Sequence, residues 1–189
     1  VSAELFRTLR TNICFLQPTE VKSPVVLVTS SVNDEGKSYV ASNLAASMAL
    51  LGKRVVLVEM DFRKPTLATY LDLSSQGHLT HYLSDEVDAL DNLVVGSSMN
   101  KLDIIPAGVL PPNPSELLQS GRVAALFGEL REKYDYVVVD SAPTALISDT
   151  FLLSSLVDMT VYVVRTNHTT FDMIDFVNQI NAQQRLPKM

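Results

Sequence analysis

The chain has 189 residues, 47% of them hydrophobic and 19% charged, which is typical of one globular domain with a sizeable core. Its formal net charge of −6 at pH 7 argues against a protein that binds nucleic acid through bulk electrostatics, and its single cysteine, Cys14, excludes an internal disulfide. No apolar run approaches the ~20 residues that a membrane-spanning helix needs, and no signal peptide is visible, so we expect a soluble domain.

The first predicted element is a helix over residues 2–17. Residues spaced three or four apart form a polar stripe and, beside it, an apolar stripe. The polar stripe consists of Glu4, Arg7 and Arg10, and the apolar stripe consists of Phe6, Leu9, Ile13 and Leu16. From the residues alone, this pattern favours a surface helix with an intrahelical Glu4–Arg7 pair.

The most informative stretch follows at Val25–Val40. An apolar run, Val25–Ser30, leads into a short polar loop that closes on Gly36-Lys37-Ser38, and a helical pattern then continues over Lys37–Leu51. A strand, a loop and a helix N-terminus in this order make a nest for phosphate, with a lysine for its outer oxygens and a hydroxyl for magnesium. The strict pattern GxxxxGK[ST] fails at one position, because Ser31 stands where its first glycine belongs.

The rest of the chain alternates strands and helices. Short continuous apolar runs indicate strands that are buried on both faces, as in a parallel sheet covered by helices. These strands are predicted at Val25–Ser30, Arg54–Glu59, Leu102–Pro106, Tyr136–Asp140 and Met159–Arg165. Further helices are predicted to begin near Asn113, with Pro114 at the first position, and to run from about Thr169 to Gln184. This alternation predicts a doubly wound α/β fold with helices on both faces of a mostly parallel sheet.

Carboxylates occur where two of these strands end. One strand runs into Glu59, Asp61 and Arg63, and another runs into Asp140. An acid at the end of a buried strand is costly unless it is paired, hydrogen-bonded or near a cation, and a magnesium ion that bridges phosphates is such a cation. Because ligands of these folds lie at the carboxyl ends of the strands, we expect these acids to face the phosphate loop.

In this order, the motifs resemble those of the bacterial tyrosine kinases (BY-kinases), which have a MinD-like (SIMIBI) P-loop NTPase fold. The resemblance spans nearly the whole chain and implies a single domain over residues 1–189. Val28–Ser38 is similar to the family's Walker A motif, Val55–Arg63 to its Walker A′ motif and Val137–Pro143 to its Walker B motif. Pro111–Leu118 is similar to a stretch that these kinases carry before their next helix. Glu4–Arg10 resembles the ExxRxxR motif of ring-like self-association.

The resemblance implies phosphoryl transfer from Mg-ATP to tyrosine hydroxyls of a neighbouring subunit. Nucleotide would be held by Ser31, Val32, Asn33, Asp34, Glu35, Gly36, Lys37, Ser38 and Tyr39. Catalysis would depend on Lys37, Glu59, Asp61, Arg63 and Asp140, with magnesium held by Ser38, Asp61 and Asp140, and with Glu59 or Asp61 as the proton acceptor. Self-association would use Glu4, Arg7 and Arg10.

The same resemblance implies a place at the inner face of the bacterial membrane, joined to a membrane-spanning segment or activator of the machinery that exports capsular polysaccharide. The family's tyrosine-rich tail, and the strand expected after the last helix, are not found in this sequence. Three functions therefore compete: a tyrosine autokinase, an ATPase switch of the MinD/ParA type, and a nucleotide-binding assembly module without phosphoryl transfer. The second is disfavoured by Val32, where MinD-type proteins carry a second lysine, and the third is favoured by Ser31 and Glu59.

Overall fold

A six-stranded sheet separates two layers of helices in the computed structural model, which describes residues 2–73, 79–145 and 148–189. The strand order is β3-β4-β2-β5-β1-β6, and only the short strand β3 runs antiparallel to its neighbour. The strands are β1 (Val25–Ser30), β2 (Val55–Met60), β3 (Val95–Gly96), β4 (Leu102–Ile105), β5 (Tyr136–Ser141) and β6 (Met159–Val163).

The helices lie in the connections between the strands, and the crossovers from β1 to β2, from β4 to β5 and from β5 to β6 each pass over one strand of the sheet. They are α1 (Ser2–Leu16), α2 (Lys37–Ala49), α3 (Leu67–Tyr70), α4 (Leu79–Leu83), α5 (Pro114–Gln119), α6 (Gly121–Lys133), α7 (Asp149–Leu152) and α8 (Phe171–Ala182), with one 3₁₀ turn at Leu90–Asn92. None of these described helices is long and apolar enough to cross a membrane.

Each face of the sheet has its own hydrophobic core. Alternate side chains of a strand point to opposite faces, so Val26 and Val28 pack under α1, α2 and α3, while Val25 and Leu27 pack under the later helices. Every residue of β1, β2 and β5 is buried. The predicted doubly wound sheet is confirmed, because continuous apolar strands of this kind need helices on both faces.

The predicted strands agree with the structure to within two residues at each end. Strand β3 was missed, since a strand of two residues has no measurable period. At Asn113 the predicted N-cap position is right, but the side chain does not cap the helix backbone. Its amide instead donates to Glu116 Oε2 at 2.8 Å.

Helix α1 packs on α2 and differs from its predicted pattern at two positions. Ile13 is buried as expected, but Leu16, assigned to the apolar stripe, is 59% exposed. Arg10, assigned to the polar stripe, lies against α2, where its Nη1 donates to the carbonyl oxygen of Ser47 at 2.6 Å.

Candidate functional site

The loop between β1 and α2 presents unpaired backbone amides. Gly36, with φ of 96°, and Asp34, with φ of 64°, take left-handed conformations that turn the chain into α2. Asparagine and aspartate tolerate this region better than other non-glycine residues, so Asp34 keeps the shape of the loop without a second glycine. Within the described part of the chain, the amides of residues 33–38 donate to no carbonyl and no side chain. Such a row of free donors at a helix start is a site for an anion.

Ser31 does not obstruct this nest, although the motif has glycine at its position. The side chain is fully buried and turns away from the loop amides toward β6, where its Oγ lies 3.1 Å from the hydroxyl of Tyr162. Tyr162 in turn forms a hydrogen bond with Thr144, which follows β5. The serine therefore anchors the loop to its neighbouring strands.

Glu35 adds a carboxylate to the loop, and that carboxylate lies inside it. The residue is 4% exposed, and its Oε2 accepts the backbone N–H of Val32 at 2.8 Å. The acid thus consumes one donor of the loop. Asp34 is exposed and pairs with Lys64 at 3.2 Å.

Lys37 and Asp61 form a buried ion pair at the carboxyl edge of the sheet. Lys37 Nζ lies 3.0 Å from Asp61 Oδ2, and the two side chains are 10% and 2% exposed. The other oxygen of Asp61 accepts the backbone N–H groups of Arg63 and Lys64. Three donors therefore fix the position of the Asp61 carboxylate beside the phosphate loop.

Asp140 stands opposite Glu59 in the register of β5 and β2 and is completely buried. Within the described residues, neither of its carboxylate oxygens has a hydrogen-bond partner. Burial raises the pKa of Asp140 to about 7, although the positive charge of Lys37 and the nearby hydroxyl of Ser38 both act to lower it. Two unpartnered oxygens of a buried acid are the signature of a site that a cation or a proton completes.

This raised pKa predicts how the stability of the ligand-free chain depends on pH. The ordinary value for Asp140 is 3.8, so near neutral pH the folded chain binds a proton that the unfolded chain has released. Stability from this group is therefore present at low pH and is lost as the pH rises through 7. We expect urea unfolding to give a free energy about 1 kcal/mol higher at pH 6 than at pH 8. Burial also raises the pKa of Glu59, so this group acts in the same direction. Stability that increased over this range would contradict the assignment.

Both carboxylate oxygens of Glu59 accept hydrogen bonds from the backbone. Its Oε1 accepts the N–H groups of Thr66 and Leu67 at 2.5 and 2.8 Å, where α3 begins, and its Oε2 accepts the N–H of Ala107 at 3.0 Å. Of the two acids predicted as proton acceptor, Glu59 has both oxygens bound by backbone N–H groups, whereas Asp61 Oδ2 faces the Lys37 ammonium. Glu59 instead joins β2 to α3 and to the segment after β4.

Replacing Glu59 with glutamine is expected to lower the free energy of unfolding by about 2 kcal/mol, because the amide NH₂ would face a backbone N–H and leave it unsatisfied. Urea unfolding measures this effect. Glu132→Gln, on the exposed face of α6, is the matched control and should leave the stability unchanged. Equal stabilities for the two variants would show that the three bonds contribute nothing.

Arg63 makes a contact that the sequence did not reveal. Its Nε donates to Asp149 Oδ2 at 2.8 Å, and its Nη2 donates to Ser115 Oγ at 3.1 Å. Ser115 also donates to Asp149 at 2.6 Å, and Asp149 is 2% exposed. This cluster ties the end of β2 to α5 and α7. The guanidinium remains 41% exposed and lies at the carboxyl edge of the sheet.

A cleft of about 180 Å³ opens over the loop, and six of the nine residues predicted to hold nucleotide line it. Ser38 lies in it beside Thr66, whose hydroxyl donates to Ser38 Oγ at 3.2 Å. Tyr39 forms its outer wall and contacts the ring of Phe6 edge-on, with 5.8 Å between ring centroids. The full lining is Asn33, Asp34, Gly36, Lys37, Ser38, Tyr39, Lys64 and Thr66. The predicted interface residues Glu4 and Arg7 lie elsewhere, in an exposed ion pair on α1.

Comparison with known proteins places this geometry in a family. Residues 30–186 match a family model described as an AAA domain. The tyrosine-protein kinase YwqD of Bacillus subtilis is 36% identical over 170 residues, which cover 89% of this chain and 70% of YwqD. The chain belongs to the bacterial tyrosine kinases. The tyrosine-protein kinase Etk of Escherichia coli is 30% identical over 164 residues, which cover 87% of this chain but only 22% of Etk. Some members of the family are therefore much larger than this chain.

Solved structures agree with this kinase assignment. The kinase domain of Escherichia coli ETK superposes with a TM-score of 0.90 at 28% identity, covering 98% of this chain and 72% of that domain. The septum site-determining protein MinD of Pyrococcus horikoshii, solved with Mg-ADP, gives a TM-score of 0.71 at 16% identity over 88% of this chain and 68% of its own. The predicted BY-kinase resemblance and the MinD-like fold are both confirmed, the second as a likeness of fold alone.

Proposed function

We propose that the chain is an ATP-dependent protein-tyrosine kinase domain that phosphorylates tyrosines of a neighbouring copy. The observation that carries this proposal is the convergence of Lys37, Asp61 and the unpartnered Asp140 on one row of free amides. Phosphoryl transfer needs positioning and charge stabilisation more than covalent chemistry, and these groups supply both. The relationship to YwqD supports tyrosine as the acceptor.

The residues present fit a magnesium ion together with a nucleotide. In the described part of the chain, no group of three or more His, Cys, Asp or Glu side chains could hold a metal by itself. Magnesium is usually bound by one or two carboxylates together with phosphate oxygens and water, and Asp140, Asp61 and the Ser38 hydroxyl would be its protein ligands. When bound, the ion would neutralise charge on the transferred phosphoryl group.

The side chains of the site then have separate tasks. The amides of residues 33–38 bind the phosphate oxygens, and Lys37 stabilises the negative charge that develops on them. Asp61 orients Lys37 through their ion pair and can accept the proton of an incoming tyrosine hydroxyl. Arg63, 41% exposed at the edge of the cleft, can contact phosphate only if it loosens from Asp149.

We further propose a setting for this activity. The chain would work at the inner face of the bacterial membrane, as part of the machinery that makes and exports extracellular or capsular polysaccharide. It would assemble into a ring through Glu4 and Arg7 of α1, both of which are exposed, while Arg10 holds α1 in place. A membrane-spanning segment or activator would be the second partner. Self-association makes trans-phosphorylation possible, because each active site then faces a neighbour.

The second candidate is a nucleotide-binding assembly module that does not transfer phosphate. Glu35 favours it, because this buried acid occupies the amide of Val32 and adds negative charge beside the phosphates. Burial of a carboxylate next to a phosphate site weakens anion binding.

One assay distinguishes the candidates. The chain is incubated with Mg-ATP and a tyrosine-rich acceptor peptide, and both phosphotyrosine and released ADP are measured. Phosphotyrosine supports the kinase. ADP release without phosphotyrosine supports an ATPase switch, and calorimetric binding of Mg-ADP without either product supports the module. Absence of Mg-ADP binding would contradict all three functions.

A further inference from the structure

The turn between β6 and α8 contacts the phosphate loop from the side opposite to its free amides. Arg165 Nη1 donates to the carbonyl oxygen of Asp34 at 2.7 Å, and His168 Nε2 donates to the carbonyl oxygen of Asn33 at 3.0 Å. These contacts join residues more than 130 positions apart in the chain. They therefore depend on the fold, not on local sequence.

A third contact comes from the same turn. The hydroxyl of Thr169 donates to Glu35 Oε1, and the same hydroxyl accepts the backbone N–H of Arg165 at 2.8 Å. The turn is also closed by the N–H of Thr169, which donates to the carbonyl oxygen of Arg165 at 2.9 Å. The Thr169 hydroxyl thus acts as both donor and acceptor, and these bonds fix the conformation of the turn.

The two carbonyl contacts set the direction of the loop amides. A planar trans peptide points its N–H away from its carbonyl oxygen. With the carbonyls of Asn33 and Asp34 held by His168 and Arg165, the N–H groups of the same two peptides, which belong to Asp34 and Glu35, point away from the turn. Asp34 also sits at φ of 64°, a conformation that the bond from Arg165 helps to maintain.

We propose that Arg165, His168 and Thr169 form a phosphate-loop brace, a set of positioning residues that fixes the loop amides in the orientation that binds phosphate. The expected effect of the brace on nucleotide binding rests on the proposed function. Its effect on the ligand-free loop stands independently. Because the Glu35 carboxylate is shared between Thr169 and the amide of Val32, the brace also keeps this acid directed away from the phosphates.

The test compares Arg165→Met and Thr169→Val, singly and combined, with the conservative variants Arg165→Lys and Thr169→Ser. Arg54→Met is the matched control, because it removes an exposed arginine that pairs with Asp135 at the opposite edge of the sheet. Two readouts are used: hydrogen exchange of the Val32 amide, whose N–H donates to Glu35, without nucleotide, and the Kd for Mg-ADP by calorimetry.

The combined variant should speed exchange of the Val32 amide, because Glu35 loses its bond from Thr169, and should raise the Kd for Mg-ADP, each by about 10-fold. The KM for ATP should rise more than kcat falls, and the lysine and serine variants should recover most of the loss. Unchanged exchange and unchanged Kd, in a wild-type chain that binds Mg-ADP, would overturn the brace and leave the kinase proposal intact. If the wild-type chain did not bind Mg-ADP, the proposed function would fail, and the exchange rates alone would decide the brace. If the combined variant did not fold, the single Arg165→Met variant would give the same readouts.

Discussion

Replacing Lys37 with methionine is expected to abolish phosphotyrosine formation, with a loss on the order of 1,000-fold or more. Lys37 is placed at the first residue of α2, beside the loop amides, and is buried with Asp61 and close to Asp140. No other cation occupies this interior position within the described residues, since Lys64 and Arg63 lie further out and are largely exposed. The measurement is phosphotyrosine on the acceptor peptide at saturating Mg-ATP.

The Lys37→Met substitution should also destabilise the fold, and this effect must be distinguished from the loss of catalysis. Without its partner, the buried carboxylate of Asp61 should destabilise the fold by about 3 kcal/mol. The double variant Lys37→Met/Asp61→Asn removes both charges and should regain much of this stability without regaining activity. Lys64→Met is the control for loss of a nearby positive charge and should retain activity within about 10-fold. Activity that returned in the double variant would contradict a direct role for Lys37.

Replacing Asp140 with asparagine should make the ligand-free chain more stable and, at the same time, inactive. At pH 8 the carboxylate is ionised and buried with no hydrogen-bond partner among the described residues, and asparagine removes this charge. We expect a gain of about 2 kcal/mol in urea unfolding at pH 8. The gain should shrink toward pH 6, because a folded-state pKa of about 7 means that Asp140 is then already protonated. Magnesium-dependent phosphoryl transfer should fall by about 100-fold or more.

Asp158→Asn is the matched control for this prediction. Asp158 lies at the opposite edge of the sheet, where its carboxylate accepts the N–H of Val25 at 2.7 Å and pairs with Arg131 at 2.9 Å. This acid is fully partnered, so its replacement should lower the stability and leave phosphoryl transfer unchanged. A destabilised Asp140→Asn variant would show that the carboxylate is partnered in a way that the present geometry does not contain.

Most of the fold could be predicted because its signals are local. Each central strand is a continuous apolar run, and Gly36-Lys37-Ser38 follows the first of them directly, so strand, loop and helix are adjacent in the chain. The convergence of Asp61 and Asp140 on Lys37 also follows, since parallel strands end at the same edge of the sheet.

The parts that could not be predicted depend on long-range contacts. Glu59 matches an acid of the motif in sequence, but its three backbone partners are set by where α3 and the segment after β4 come to lie. Arg63 finds Asp149 at a separation of 86 residues, and no spacing in the sequence signals that pair. Arg10 follows the expected helical stripe, but its direction toward Ser47 is determined by the packing of α1 on α2.

Because α1 packs on α2, self-association through α1 could change the position of the active-site lysine. Helix α2 is unbroken over 13 residues and is therefore about 20 Å long, with Lys37 at one end. Arg10 grips it near Ser47, toward the far end, and Phe6 touches Tyr39 in its first turn. Two contacts near the two ends of α2 thus join it to α1, and a shift of α1 along α2 would break at least one of them. A neighbouring copy that displaces α1 would therefore also displace α2, whose first residue is Lys37.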